Sequence, residues 1–309
     1  MDKILFGSDP EGFYTRIGED GFPYVVPPAK YRMDHKLQTN MTDPKHPVFA
    51  VAEGVNGVVK LIEDGAAFEL TVPPSTNIDT LYQDIQLGYD LAGDIAKEFG
   101  HFVSIVPTIN FDTNEFRDKE ESFRQCLIFG CDPDMDVFEM EGLDLRCAHV
   151  FQPGEGAMDH KYRYGGGHIH ISGCELFQTK PLLAVKMFAF LLGNLVTFLS
   201  PMKELDHLRT YRYGRPGRFR IQNYGHKFNG MEWTDKGIEY RTPSNAWTTD
   251  LPLGKKLADA VRVAAEYILP NDHLMENIIG CIQDSTVDAV MNGNPELAEK
   301  NYNAVMSMI

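Results

Sequence analysis

Residues 162–172 read Y-R-Y-G-G-G-H-I-H-I-S, and this segment restricts the fold more than any other. In a strand, successive side chains alternate faces. His168 and His170 then share one face, and Ile169 and Ile171 share the other. A strand with one apolar and one imidazole face needs a packed layer on one side and a functional or solvated surface on the other. Three glycines directly before it let the backbone come close to something bulky or adopt positive φ. Two imidazoles beside a glycine turn suit a metal or a phosphate. The competing reading is a pair of hydrogen-bonded strand histidines.

Other segments fix the class. Ile4–Phe6 is a short apolar strand entering the turn Ser8-Asp9-Pro10-Glu11. Ala66–Val72, Phe102–Pro107, Gly167–Ser172 and Gly237–Arg241 also read as strands. Residues 77–99 carry a broad apolar stripe at helical spacing. The stretches 182–199 and 255–268 are helical, and a helical segment follows Asn271. Strands not followed regularly by helices argue α+β with a largely antiparallel sheet, not a doubly wound fold. One domain over 1–309 is expected, with an irregular proline-rich insertion at about 18–48 and a helical segment at about 255–309.

Composition narrows the function. The formal net charge is −15, which repels nucleic acid unless a local basic stripe exists. Five cysteines with no C-x-x-C pair indicate neither a disulfide framework nor a zinc ribbon, and a reducing cytoplasm fits best. The start M-D-K-I-L-F-G-S-D has no apolar run long enough for a signal peptide. The most apolar stretch, 182–199, is interrupted by Lys186 and Asn194 and reads as a buried helix, not a membrane span.

Five further motifs carry candidate chemistry. Asp9 and Glu11 lie two apart at a strand end, where paired carboxylates suit a hard cation; the bland reading is an Asp-Pro turn with a solvent-facing glutamate. Asp64-Gly65 is a turn, and Glu69 then lies between Phe68 and Leu70, on a solvated face or facing a cavity. Asp132, Asp134 and Asp136 superficially match a calcium loop but lack its glycine and terminal glutamate, so a turn with a possible substrate contact remains. Between His207 and Lys227 stand Arg209, Arg212, Arg215, Arg218 and Arg220 with no acidic residue, interleaved with aromatics. This run suits a nucleic acid, a clamp on nucleotide phosphates, or a solvated basic surface. The global acidic field favours a small anion site over a long nucleic-acid track. Glu239 and Arg241 share one strand face, as an ion pair or as a metal ligand beside a phosphate clamp.

The ordered set D-P-E, D-G-x-x-x-E, C-x-P-D, G-G-H-I-H, Y-G-R-x-G and E-Y-R-x-P-S resembles the phage-type carboxylate–amine ligases. These (COOH-NH2 ligase type 2) are amidoligases of the wider glutamine synthetase and glutamate–cysteine ligase superfamily. The resemblance spans roughly residues 1–250 and rests on motif order; the insertion at 18–48 has no counterpart in it. It implies a curved, largely antiparallel sheet whose concave face holds ATP, Mg²⁺ or Mn²⁺ and an amino-acid-like substrate, with helices on the convex face. By position, Glu69 and Glu239 look like metal ligands, joined by Glu11 and Asp9. His168 matches a metal-holding histidine and His170 one that approaches the nucleotide. Arg241 resembles a phosphate-binding arginine. Arg163, Arg212, Arg215, Arg218 and Arg220 are candidate clamps, and Asp64 or Asp9 a candidate base.

The implied reaction is ATP-dependent amide or peptide-like bond formation through an acyl phosphate. A small-molecule or peptide carboxylate and an amine-bearing acceptor are the expected partners, without a membrane. The implied setting is a host cytoplasm with a phage or prophage origin. Two alternatives use the same residues differently: a metal-dependent hydrolase, and a non-catalytic phage structural or binding protein.

Overall fold

The computed structural model describes residues 4–35, 47–116, 123, 125–127, 135–139, 160–223, 226–228, 231–233 and 236–309. Its strands in chain order are β1 (Leu5–Ser8), β2 (Glu11–Ile17), β3 (Pro23–Val26), β4 (Val48–Glu53), β5 (Val58–Asp64), β6 (Ala67–Thr71), β7 (Phe102–Ser104), β8 (Thr108–Asn110), β9 (Met135–Asp136), β10 (Tyr162–Tyr164), β11 (Ile169–Ser172), β12 (Arg218–Asn223), β13 (His226–Phe228), β14 (Met231–Trp233) and β15 (Lys236–Tyr240). The main helices are α1 (Pro28–His35), α2 (Ile78–Glu98), α3 (Glu175–Thr179), α4 (Pro181–Leu199), α5 (Lys203–Thr210), α6 (Leu251–Val263), α7 (Asp272–Met291) and α8 (Pro295–Met308).

The strands form two open sheets and a small hairpin, so the fold is α+β. The first sheet runs β1-β11-β15-β12-β9, antiparallel throughout. The second runs β10-β8-β3-β2-β6-β5-β4, with β7 on β2; its only parallel pair among the described residues is β3–β8. One strand crossover, Asp9-Pro10, carries the chain from β1 of the first sheet into β2 of the second.

Alternation decides which face is covered. Ile169, Ile171, Phe219, Ile238 and Tyr240 point into the main core with α4 and α6. The opposite face of the same strands carries His170, Glu239 and Arg220, which are direct cross-strand neighbours. Helix α4 is apolar and long enough to cross a bilayer, but its residues 184–192 are buried in this core. Its two polar interruptions find partners on α7: Lys186 donates to Gln283, and Asn194 to Thr286.

Two expectations need correction. Residues 23–35 are not irregular. Gly18 to Phe22 form a turn, with Gly21 at φ +82°, that folds β3 back on β2. Pro23 opens β3 and Pro28 opens α1, and proline is tolerated at both positions because no internal N–H is lost there. Residues 36–46 lie outside the described set. The strand expected over 102–107 ends at Ser104 as β7, and a separate strand, β8, begins only after Pro107. Pro107 has no N–H for a ladder, and the chain bends there.

Asn77 caps α2 by accepting from the Asp79 N–H. Inside that helix, Asp84 is fully buried and its carboxylate accepts from Val55 N, Asn56 N and Asn56 Nδ2. It thereby fastens the β4–β5 turn to α2. Asp84→Ala would strand three donors. Chemical denaturation should show a loss of about 2–4 kcal/mol, and an unchanged midpoint would remove Asp84 as the fastener.

Candidate active site

The glycine run explains itself by close approach. A Cβ on Gly165 would lie 2.3 Å from Asn245 Nδ2, and one on Gly167 would lie 2.4 Å from the Ser244 carbonyl oxygen. Side chains there would push the 162–167 segment off the 242–245 turn. With hydrogen at both positions, the Gly167 carbonyl accepts from Trp247 Nε1 at 2.7 Å, and Gly166 N donates to Glu11 Oε2 at 2.8 Å.

These contacts bring the expected carboxylates and histidines together, but as two groups rather than one. The first is Asp9, His170 and Glu239, whose ligand atoms lie within 4.8 Å of one another. The second is Glu11, Asp64 and Glu69, with the same spacing. In the second sheet Glu11 is the direct cross-strand partner of Glu69, and Glu69 of Ile62; Asp64 follows two residues after Ile62, on the same face. Glu69 and Glu239 thus belong to different sheets. Glu11 begins β2 and is buried, not solvent-facing.

Of the two histidines, His170 rather than His168 completes the first group. His170 Nε2 is 3.2 Å from Asp9 Oδ2. His168 is more deeply buried, with Nδ1 at 3.2 Å from Asp9 Oδ1 and 3.5 Å from Glu239 Oε1. Both imidazoles therefore lie against Asp9, and these distances do not separate the metal and nucleotide roles that motif position implies for His168 and His170.

Burial dominates the electrostatics. It raises Glu11 to about 8, with the Asp64 charge adding to it. Burial and then Asp9, Asp64 and Glu11 hold Glu69 well above its ordinary value. For Asp9, burial works upward, but His168 and His170 together outweigh it and hold the carboxyl well below the usual range. For Glu239, burial again works upward, and the adjacent Arg241 guanidinium turns the net shift downward. His168 is lowered by burial and Arg241.

The arginines divide. Arg241 donates to Glu239 Oε1, and Arg220 Nη1 is 3.6 Å from the same oxygen. Arg218 is buried against Asp136, its cross-strand partner, at 3.5 Å. Arg215 pairs with Glu139 at 3.1 Å near the surface. Arg212 lies close enough to His160 and Tyr164 to shift both. Arg163 belongs elsewhere: its guanidinium stacks on Phe111 at 3.9 Å and donates to the carbonyls of Cys126, His160 and Tyr162. It fastens β10 to a second apolar cluster, so the expectation of a phosphate clamp there does not match its placement. Of the D-x-D-x-D motif only Asp136 is described; Asp132 and Asp134 lie outside the described residues.

Two residues with roles here, Gln222 and Asn245, carry no sequence signal, and a third, Arg209, stood only as one member of the arginine run. Gln222 donates to Glu239 Oε2. Arg209, on α5, donates to the carbonyls of Thr242 and Arg241 and so holds the turn that follows β15. Asn245 Nδ2 donates to the Glu11 carbonyl at 2.8 Å and the Val106 carbonyl at 3.1 Å. An amide in a strand or turn looks like many others; only the arginine stood inside a conspicuous run.

The donor chemistry fits hard divalent cations. Three carboxylates in one group, and two carboxylates with an imidazole in the other, match the oxygen preference of Mg²⁺ and the mixed preference of Mn²⁺. Like charges held this close oppose folding until a cation joins them. Glu69→Gln should therefore raise the Tm of the metal-free protein and abolish the further rise produced by Mg²⁺. A Tm that falls without metal, or that still rises with Mg²⁺ as in wild type, would remove Glu69 from a cation site.

No protein-family model matches the chain, and no curated protein sequence is similar to it. Among solved structures, the chain is similar to a novel glutamine synthase homologue, with TM-score 0.44 and 12% identity over 98% of this chain. It is also similar to the Plasmodium falciparum glutamine synthetase, with TM-score 0.39 and 11% identity over 84% of this chain. The aligned regions span 65% and 51% of those two longer chains.

Proposed function

We propose that this chain is an ATP-dependent carboxylate–amine ligase that forms an amide or peptide-like bond through an acyl phosphate. The observation that carries the reading is the juxtaposition of two acidic ligand groups with Arg220 and Arg241 on the shared Glu239 carboxylate. The order of motifs along the chain supports it independently.

A free carboxylate resists nucleophilic attack because it already bears negative charge. In the proposed reaction its oxygen attacks the γ-phosphorus of ATP, the bond to the β-phosphate oxygen breaks, and ADP leaves. The amine then attacks the acyl carbon, and inorganic phosphate leaves. Phosphoryl transfer needs positioning and charge neutralisation more than covalent help. Asp9, His170 and Glu239 would hold one divalent cation and Glu11, Asp64 and Glu69 another. Bound Mg²⁺ or Mn²⁺ would supply neutralisation of phosphate charge.

The chain's own cations do the rest. Arg241 and Arg220 present planar forks suited to phosphate oxygens, and Glu239 orients both. Arg209 and the β12–β15 ladder fix the backbone under Arg241, whose N–H donates to the Arg218 carbonyl at 2.9 Å. A hydrolase using the same acidic groups would have no need for guanidinium forks beside them.

Calorimetric titration of ATP tests the reading. Binding should require Mg²⁺, vanish with EDTA, and vanish in Glu239→Ala. Metal-independent binding, or tight MgATP binding by Glu239→Ala, would sink the assignment; metal-dependent hydrolysis of esters or peptides without nucleotide would favour the hydrolase. Arg241→Lys should still bind MgATP but lose amine-dependent phosphate release by about 10²-fold, since a point charge does not replace the fork. Undiminished release in that variant would take Arg241 out of the mechanism.

A further inference from the structure

Asn245 touches none of the ligand atoms described above, yet its amide sits where three segments meet. The residue is fully buried. Its two Nδ2 hydrogens are both committed, one to the Glu11 carbonyl and one to the Val106 carbonyl. Because both neighbours are acceptors, only the NH₂ end can face them, which fixes the orientation of the amide. The main-chain N–H of Asn245 donates to the Gly165 carbonyl at 3.3 Å. Its carbonyl accepts from Thr248 Oγ1 at 2.6 Å, which pins the turn from below. Gly165 abuts the amide so closely that any side chain would strike it.

Glu11 stands at the junction of the two ligand groups. Its own N–H donates to the Gly166 carbonyl, and its carboxylate accepts from the Gly166 N–H. Those bonds fix Glu11 to the glycine run, which the backbone bonds Gly167 N to the Pro243 carbonyl and Asn245 N to the Gly165 carbonyl hold to the turn in series. The bond from Asn245 ties the same residue to the turn that follows Glu239 and Arg241. We infer that Asn245 is a positioning residue: it sets the place of Glu11, and hence of the Glu11–Asp64–Glu69 group, relative to the Asp9–His170–Glu239 group. This rests on the metal-dependent reading of the site. It assigns a function to a side chain that never reaches substrate or metal.

The chemistry makes a sharp comparison possible. Asn245→Asp keeps the shape but turns acceptor against acceptor at two carbonyls. Asn245→Ala deletes both bonds. Gly165→Ala keeps the Asn245 side chain but drives a methyl group against its Nδ2 and the Val106 carbonyl that Nδ2 bonds. All three should produce the same defect through the same displaced residue.

Titration of Mn²⁺ into the purified protein, followed by loss of the free-ion electron paramagnetic resonance signal, reads it directly. Wild type is expected to take up two ions. In Asn245→Ala and Gly165→Ala, one dissociation constant should rise at least ten-fold while the other stays within two-fold. Ile282→Ala, which hollows the helical core far from the site, serves as the control of comparable Tm loss and should leave both constants unchanged. If Asn245→Ala does not fold, Gly165→Ala carries the test alone. Two unaltered constants in the folded variants, or equal weakening in Ile282→Ala, would overturn the inference while leaving the ligase reading intact. No Mn²⁺ uptake by wild type would overturn both, and that outcome is distinct from the first two.

Discussion

The crossover at Asp9-Pro10-Glu11 is the constraint on which the rest of this structure depends. A chain that leaves one sheet and enters another within two residues has almost no conformational freedom. Pro10 fixes one φ and gives up a donor that no ladder could use. Its carbonyl accepts from Leu70 N, and the next N–H donates to the Gly166 carbonyl, so the crossover is fastened to β6 on one side and to the glycine run on the other. Asp9 then faces the imidazoles of the first sheet, while Glu11 starts the second sheet opposite Glu69. Two residues apart in sequence, the two carboxylates serve different groups because the strand between them changes sheets.

That arrangement concentrates negative charge against the preference of a folding chain. Burial alone disfavours each ionised carboxyl, and the carboxylates disfavour one another. The protein answers the problem unequally. In the first group, His168, His170 and Arg241 offset the charge, and both Asp9 and Glu239 are held in their ionised forms. In the second group, Glu11 and Glu69 keep their protons to higher pH. A chain selected only for stability would replace such a group with well-packed apolar residues. A cation of the kind proposed above would offset that cost at the junction of the two sheets.

Much of this was legible in the sequence, and what was not has a physical cause. The two-residue period of H-I-H-I-S gave the strand, its core face and its site face without further help. The same period placed Glu239 and Arg241 together. The apolar stripe over 77–99 located α2, Ile78–Glu98, to within a residue at each end. Turn chemistry did less well: Pro23 and Pro28 read as breakers of regular structure, although each stands at the one position in its element that accepts proline. The division of the acidic residues into two groups was invisible, because it depends on a sheet change that no local pattern encodes. Arg163 misled for a related reason. A guanidinium that serves three backbone carbonyls and a phenyl ring has the same letter as one that serves a phosphate.

Strand alternation also explains how a site of this kind stays in place. Between Glu239 and Arg241 stands Tyr240, wholly buried on the opposite face. Its ring meets Phe188 edge-on at 6.1 Å. A Cβ at Gly193 would lie 3.2 Å from the Tyr240 hydroxyl, so the π-helical turn at Ala189–Gly193 makes room for the tyrosine with a residue that has no side chain. Ile238 and Ile171, side by side across β15 and β11, enter the same core. Each core residue is thus the immediate chain neighbour of a site residue. A shift of α4 that moved Tyr240 would tilt Glu239 and Arg241 together, in the same sense, because one backbone carries all three. The apolar face and the charged face are two sides of one strand, and the packing of the first sets the geometry of the second.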